Sequence, residues 1–268
     1  MLQLPLIERN IFIAVTAIYL FCSILAVIQL FRPSEKKFSM IISMVASAVS
    51  LESLILVLRA VEIKAIPLTG LFESMIVLSI AFGLTFLFLS TTIRHVWFSS
   101  VMVWFLFFLI LLSAVVASPA AKFDVQIQTP WVLWHGLSMA FSGAAIAFSG
   151  CISALFLLAH RNLKQKNIKR VLGKVPNIEK LETLNVIGLK AAFVFLSFGL
   201  ISGIGLAIVK SAEISISFNE WITDSKIILV TISWILLLLV LVLRHFLLRA
   251  RGVAVITMLT CFLIIFSI

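Results

Sequence analysis

Residues able to do chemistry are sparse in this chain, and the histidines come first. There are four: His95, His135, His160 and His245. An imidazole nitrogen can bind a metal ion or exchange a proton near neutral pH. His135 lies in the stretch Thr129 to Ala159, TPWVLWHGLSMAFSGAAIAFSGCISALFLLA, just after Pro130, Trp131 and Trp134. The twenty-four residues from Gly136 to Ala159 carry no charge, which is enough to cross a bilayer. Indoles favour the membrane–water interface. The pattern therefore puts one imidazole at a membrane surface beside two indoles. There it is either a solvated or hydrogen-bonded interfacial side chain or a ligand. Cys22, Cys151 and Cys261 all fall inside apolar runs, with no C-x-x-C. Thiol–disulfide chemistry is not expected, and such cysteines act as small apolar side chains.

The elements that position these residues are membrane helices. Hydrophobic residues make up 62% of the chain and charged residues 12%, against about 25% charged in soluble domains. The expected fold is all-α: a polytopic membrane helix bundle forming a single integral membrane domain over 1–268. Eight spans are predicted, at roughly 11–31, 40–58, 71–92, 97–117, 131–159, 184–209, 226–246 and 250–267. Gly83 and several Ser/Thr leave open a partly re-entrant third span. The first span has an acid-containing leader and no A-x-A-like cleavage site, so it reads as a retained helix. Gly136, Gly143 and Gly150 recur every seven residues beside Ser142 and Ser149, a small-residue stripe that admits a close helix neighbour.

The net charge of +10 does not point to nucleic acid, because the basic residues sit in short loops. Arg32, Lys36, Lys37, Arg94, Arg161, Lys164, Lys166, Lys169, Arg170, Lys174, Lys180, Arg244, Arg249 and Arg251 fall in odd-numbered loops. Arg9, Arg59, Lys64, Lys122, Lys210 and Lys226 fall on the other side. This bias predicts odd loops in the cytoplasm and both termini external. His135 is then outside and His95, His160 and His245 inside, so His135 and His245 cannot bind one metal centre together. That argues against an ordinary bis-histidine membrane cytochrome. A small-solute transporter is disfavoured too, since inverted repeats and broken helices are absent from the sequence pattern. Glu52 and Glu73 are polar residues within or at spans; each reads as a packing or pairing group or as part of a functional polar site. Arg59, seven residues after Glu52, could pair with it or snorkel outward, and Lys190 reads as snorkelling to the inner interface.

Several stretches resemble the CcsA/CcmC/ResC group of cytochrome c assembly proteins. Pro67 to Ser74, PLTGLFES, is similar to P-L-x-N-L-Y-E-S, with Gly70 for Asn and Phe72 for Tyr. Pro130 to Ala145 is similar to P-W-L-x-x-H-V-x-x-x-x-x-S-Y-A-A, with Gly136 for Val and Gly143 for Tyr. Val175 to Gly203 is similar to L-P-S-L-E-x-L-D-x-L followed by F-x-F-L-x-x-G-I-x-T-G. Trp221 to Lys226, WITDSK, stands at the Trp-rich loop W-x-W-D-P-K-E and keeps Trp221, Asp224 and Lys226. Thr223 replaces the second Trp and Ser225 the Pro. The helix after it ends in Arg244-His245, where the family has L-H-T-R. The resemblance is firmest over 125–268.

The resemblance implies a haem-binding protein of a bacterial cytoplasmic membrane, capturing non-covalent haem b and presenting it to apocytochrome c at the external face. It implies His135 as outer and His245 as inner axial ligand of haem iron. Trp131, Trp134 and Trp221 would contact the porphyrin, with Asp224 and Lys226 beside it. The chain would be a haem-handling assembly factor more than an enzyme, working with a ResB/CcsB-like membrane partner. No histidine follows His245, so a second outer ligand is expected from a partner or from the C-x-x-C-H of apocytochrome. The HemX/YpjD-like branch shares the degenerate Trp loop, and gives the alternative of a membrane regulator or assembly partner without haem transfer.

Overall fold

The computed structural model describes residues 4–64, 70–93, 96–116, 130–165, 177–211, 223–244, 246 and 250–267. Among them are eight helices and no strands: α1 (Leu6–Phe31), α2 (Glu35–Ile63), α3 (Leu71–Ser90), α4 (Val96–Val116), α5 (Pro130–Lys164), α6 (Ile178–Ser211), α7 (Ser225–Leu243) and α8 (Ala250–Ser267). Seven, α1 to α7, are long and apolar enough to cross a membrane, and α8 carries a shorter apolar helix, Ala250–Ile264. The chain is a multi-pass membrane protein. In a bilayer core every backbone N–H and C=O must be satisfied within the chain, and continuous helices do that. The third span is one unbroken helix of 20 residues, with no re-entrant break.

The helices form two compact units: Met1–Gln126 with Leu155–Leu181, and Ile127–Ala154 with Glu182–Ile268. In the first, α1 packs on α2, α2 on α3, α3 on α4 and α4 back on α1, closing a four-helix bundle. The buried positions of α2, Ile41, Val45, Ala48, Glu52, Ile55 and Arg59, step by four and three residues. That spacing keeps one seam facing the partner helices. Val15, Tyr19, Cys22 and Ala26 do the same on α1. Two polar groups, Glu52 and Arg59, thus sit in line with the core seam. Helix α2 ends at Lys64 in the left-handed region (φ 57°, ψ 32°), where the chain leaves the helix towards α3.

Most hydroxyls inside the helices bond to their own backbone one turn back. Thr16 does so to Phe12, Ser23 to Tyr19, Thr85 to Ala81 and Ser233 to Leu229. This satisfies the hydroxyl without a partner helix. Those that reach across are therefore the informative ones. In the second unit Ser142 Oγ donates to Ala192 O (3.1 Å) and Ser149 Oγ to Asn185 O (3.3 Å), tying α5 to α6. Trp234 Nε1 donates to Ser197 Oγ (2.8 Å) while its ring stacks on Phe193 at 5.4 Å, tying α7 to α6. The predicted glycine stripe of α5 serves two neighbours. Its serines bond α6, whereas Gly150 faces Cys261 of α8, whose Sγ would lie 2.9 Å from a Cβ there.

Candidate functional site

Helix α5 begins at Pro130, where a missing N–H costs nothing because the first turn has no acceptor for it. Trp131, His135 and Met139 follow at intervals of four and so share one face. That face lies on α6, which answers with glycines. A Cβ on Gly205 would stand 2.8–2.9 Å from the Trp131 ring, one on Gly203 3.2 Å from His135 Cε1 and Nδ1, and one on Gly199 2.8 Å from Met139 Sδ. Gly199, Gly203 and Gly205 thus form a shallow cast into which three α5 side chains fit. Any larger residue there displaces an aromatic ring or the thioether.

His135 is fixed further by a hydrogen bond. Its Nδ1 lies 2.9 Å from Gly199 O. A carbonyl only accepts, so the proton is on Nδ1. In the neutral ring Nε2 then keeps its lone pair. Histidines that bind metals are held in this way, with the other ring nitrogen donating to a carbonyl that fixes tautomer and ring orientation. The same Gly199 carbonyl accepts from Ser202 Oγ at 3.0 Å. His135 is half-buried, and Trp131 and Trp134 are 42% and 66% exposed. The imidazole is thus rigid, in the ligand tautomer, and bordered by indole surface that is free to make contacts. Among the described residues no group of three or more His, Cys, Asp or Glu could hold a metal ion. A single oriented imidazole suits a metal that brings its other in-plane ligands with it, as iron in a porphyrin does.

Residues 68–268 match the profile of the cytochrome c assembly protein family. The chain belongs to that family. Its role is in cytochrome c biogenesis, and the family is associated with haem handling. No curated protein matches the chain. The family match begins after α2, so α1 and α2, with Tyr19, Glu52 and Arg59, lie outside it.

The remaining sequence candidates fall in different places. Asp224 is the N-cap of α7: its Oδ1 accepts from the Lys226 backbone N–H at 2.8 Å, so its carboxylate orders the start of that helix. Lys226 is exposed, and its ammonium is available to an anionic group. His245 and Trp221, like His95, lie outside the described residues. His160 is exposed and stacks on Phe156 within its own helix. Lys190 is exposed, as a snorkelling lysine would be.

Glu73 and Glu52 belong to the first unit. Arg59 is 4% exposed, so it does not snorkel. Its Nε and Nη2 both reach Glu73 Oε1 at 2.9 Å, and its Nη1 lies 3.2 Å from Glu62 and 3.7 Å from Glu8. Glu73 of PLTGLFES is therefore the buried partner of an arginine, binding α3 to α2 and α1 at one end of the bundle. Glu52 is hydrogen-bonded instead by Ser79 Oγ at 2.8 Å. Sequence reasoning missed the roles of Gly199, Gly203 and Gly205. Their spacing on α6 was a signal, but which neighbour they admit is settled only by the register of α5 against α6.

Proposed function

We propose that this protein binds haem b non-covalently and presents it to apocytochrome c at the external membrane face, with His135 as the protein's axial ligand there. The hydrogen bond from His135 Nδ1 to Gly199 O carries the reading, because it prepares Nε2 as a ligand before anything binds. Haem, when bound, would supply the iron that His135 holds and the vinyl groups that react with apocytochrome thiols. The chain's own residues bind and orient. Trp131 and Trp134 offer flat apolar surface. Lys226 would pair with a propionate, and Asp224 holds Lys226 at the head of α7. Trp221 and His245 lie outside the described residues; by the family resemblance Trp221 would add a third indole, and His245 would be the ligand on the cytoplasmic side, where haem is taken up. With one histidine on the outer face, a second iron ligand would come from the histidine of an apocytochrome C-x-x-C-H or from a ResB/CcsB-like partner. The loop charges, dense on the side read as cytoplasmic, support both termini external, and the bacterial plasma-membrane setting comes from the family resemblance.

The test is c-type cytochrome yield in cells that depend on this chain. His135→Ala is expected to abolish covalent cytochrome c while the protein still accumulates in the membrane. A yield equal to wild type would exclude haem presentation and leave the regulatory reading in its place.

A further inference from the structure

The first unit holds a polar group that the haem site does not use. Glu52 is completely buried on the α2 seam, level with Tyr19 of α1 and Ser79 of α3, both also completely buried. Ser79 Oγ donates to Glu52 Oε1 at 2.8 Å. Among the described residues, Glu52 Oε2 and Tyr19 Oη have no hydrogen-bond partner. Tyr19 lies close enough to couple to the carboxyl, short of a hydrogen bond of standard geometry. Gly83 stands next to the same hydroxyl: a Cβ there would be 3.9 Å from Tyr19 Oη and 2.6 Å from Val49 Cγ2. Val49 and Leu106 meet Gly83 there, and Ile55 and Phe82, one turn from Glu52 and Ser79 on their own helices, are buried and apolar.

We infer that Glu52, Tyr19 and Ser79 form a proton-binding site, in which Glu52 is the neutral acid and its carboxyl proton is shared with the tyrosine hydroxyl. An isolated carboxylate in such surroundings is too costly to keep, and the group neutralises instead. The cation nearest in sequence, Arg59, is seven residues on, about 10 Å along the helix. It already serves Glu73, Glu62 and Glu8. Among the described residues the nearest other thiol and carboxyl groups on these helices are Cys22, one turn from Tyr19, and the carboxylates of Glu8, Glu62 and Glu73, six or more residues along their helices from the site; α4 contributes Leu106. A hard metal cation is a poorer fit. It takes six to eight oxygens when it is calcium and six when it is magnesium, and three side chains here supply four. A protonated Glu52 converts an unpartnered acceptor into a donor and gives Tyr19 Oη a bond to accept. Tyr19 and Glu52 precede residue 68, where the family match begins. Two of its three side chains thus stand before the matched region and Ser79 stands within it, and the site is independent of the haem reading.

The experiment is infrared difference spectroscopy of the purified full-length protein at neutral pH, in H2O and D2O. Wild type minus Glu52→Gln should show the carbonyl stretch of a protonated carboxylic acid, lowered in D2O. Glutamine copies the neutral acid in shape, so that variant should fold. Tyr19→Phe retains the acid and gives a second reading: its carbonyl stretch should move, because one hydrogen-bond partner is gone. Loss of carboxylate stretches in place of the acid band in Glu52→Gln would overturn the proposal. So would an acid band that Tyr19→Phe leaves unmoved.

Discussion

At the residue scale, the proposed haem presentation depends on one ring and the atoms that hold it. The Gly199 carbonyl selects the tautomer of His135, and the missing side chain of Gly203 leaves room for the ring. Gly203→Ala puts a methyl 3.2 Å from the imidazole, which a shift of a few tenths of an ångström relieves. Gly203→Val adds two further carbons on the same side and should turn the ring away from Gly199. Overpacking of that kind costs about 1–3 kcal/mol. The expected outcome is a severalfold fall in haem retained on purification for Gly203→Val and a small one for Gly203→Ala, both folded by thermal melting. Equal retention in the two would mean that Gly203 does not set the ring. His135 was legible from its place after two tryptophans at the start of an uncharged run. Its tautomer was not, because the deciding carbonyl lies sixty-four residues away in the chain.

At the element scale, the sequence revealed all eight helices, with α1, α2 and α6 starting five or six residues before the predicted spans, since apolar runs of about twenty residues leave little choice of structure in lipid. Pairing between helices was harder to read. Spacing offered Arg59 either Glu52 or the interface, and it takes neither: its partner Glu73 lies fourteen residues on, on α3. Glu8 joins from the start of α1, a contact that no local pattern encodes. Removing one member of a buried ion pair leaves the other uncompensated, at a cost of about 3–5 kcal/mol, whereas removing both is far milder. Arg59→Met should therefore lower stability to heat or denaturant in detergent more than Arg59→Met with Glu73→Met does. Additive losses in the double variant would contradict the coupling of α2 to α3. In the second unit the glycines of α6 and the serines of α5 hold the helices together. Small residues and interhelical hydrogen bonds commonly do this in membranes.

At the scale of the whole molecule, the distribution of lysine and arginine orients everything else. Reporter fusions at about residue 170 should be active only with a cytoplasmic reporter, and fusions near 125 and 216 only with an external one. The reverse pattern would move His135 to the cytoplasmic side and remove it from apocytochrome. The family match over 68–268 gives a role in cytochrome c biogenesis; what this chain does with haem turns on its outer site. The most direct measurement is the visible spectrum of the purified protein retaining haem, with and without added imidazole, for wild type and His135→Ala. With one protein imidazole outside, added imidazole should shift wild type towards a six-coordinate bis-imidazole spectrum. His135→Ala should lose that response while keeping the haem that depends on His245. An unchanged response and unchanged haem content in His135→Ala would contradict the account.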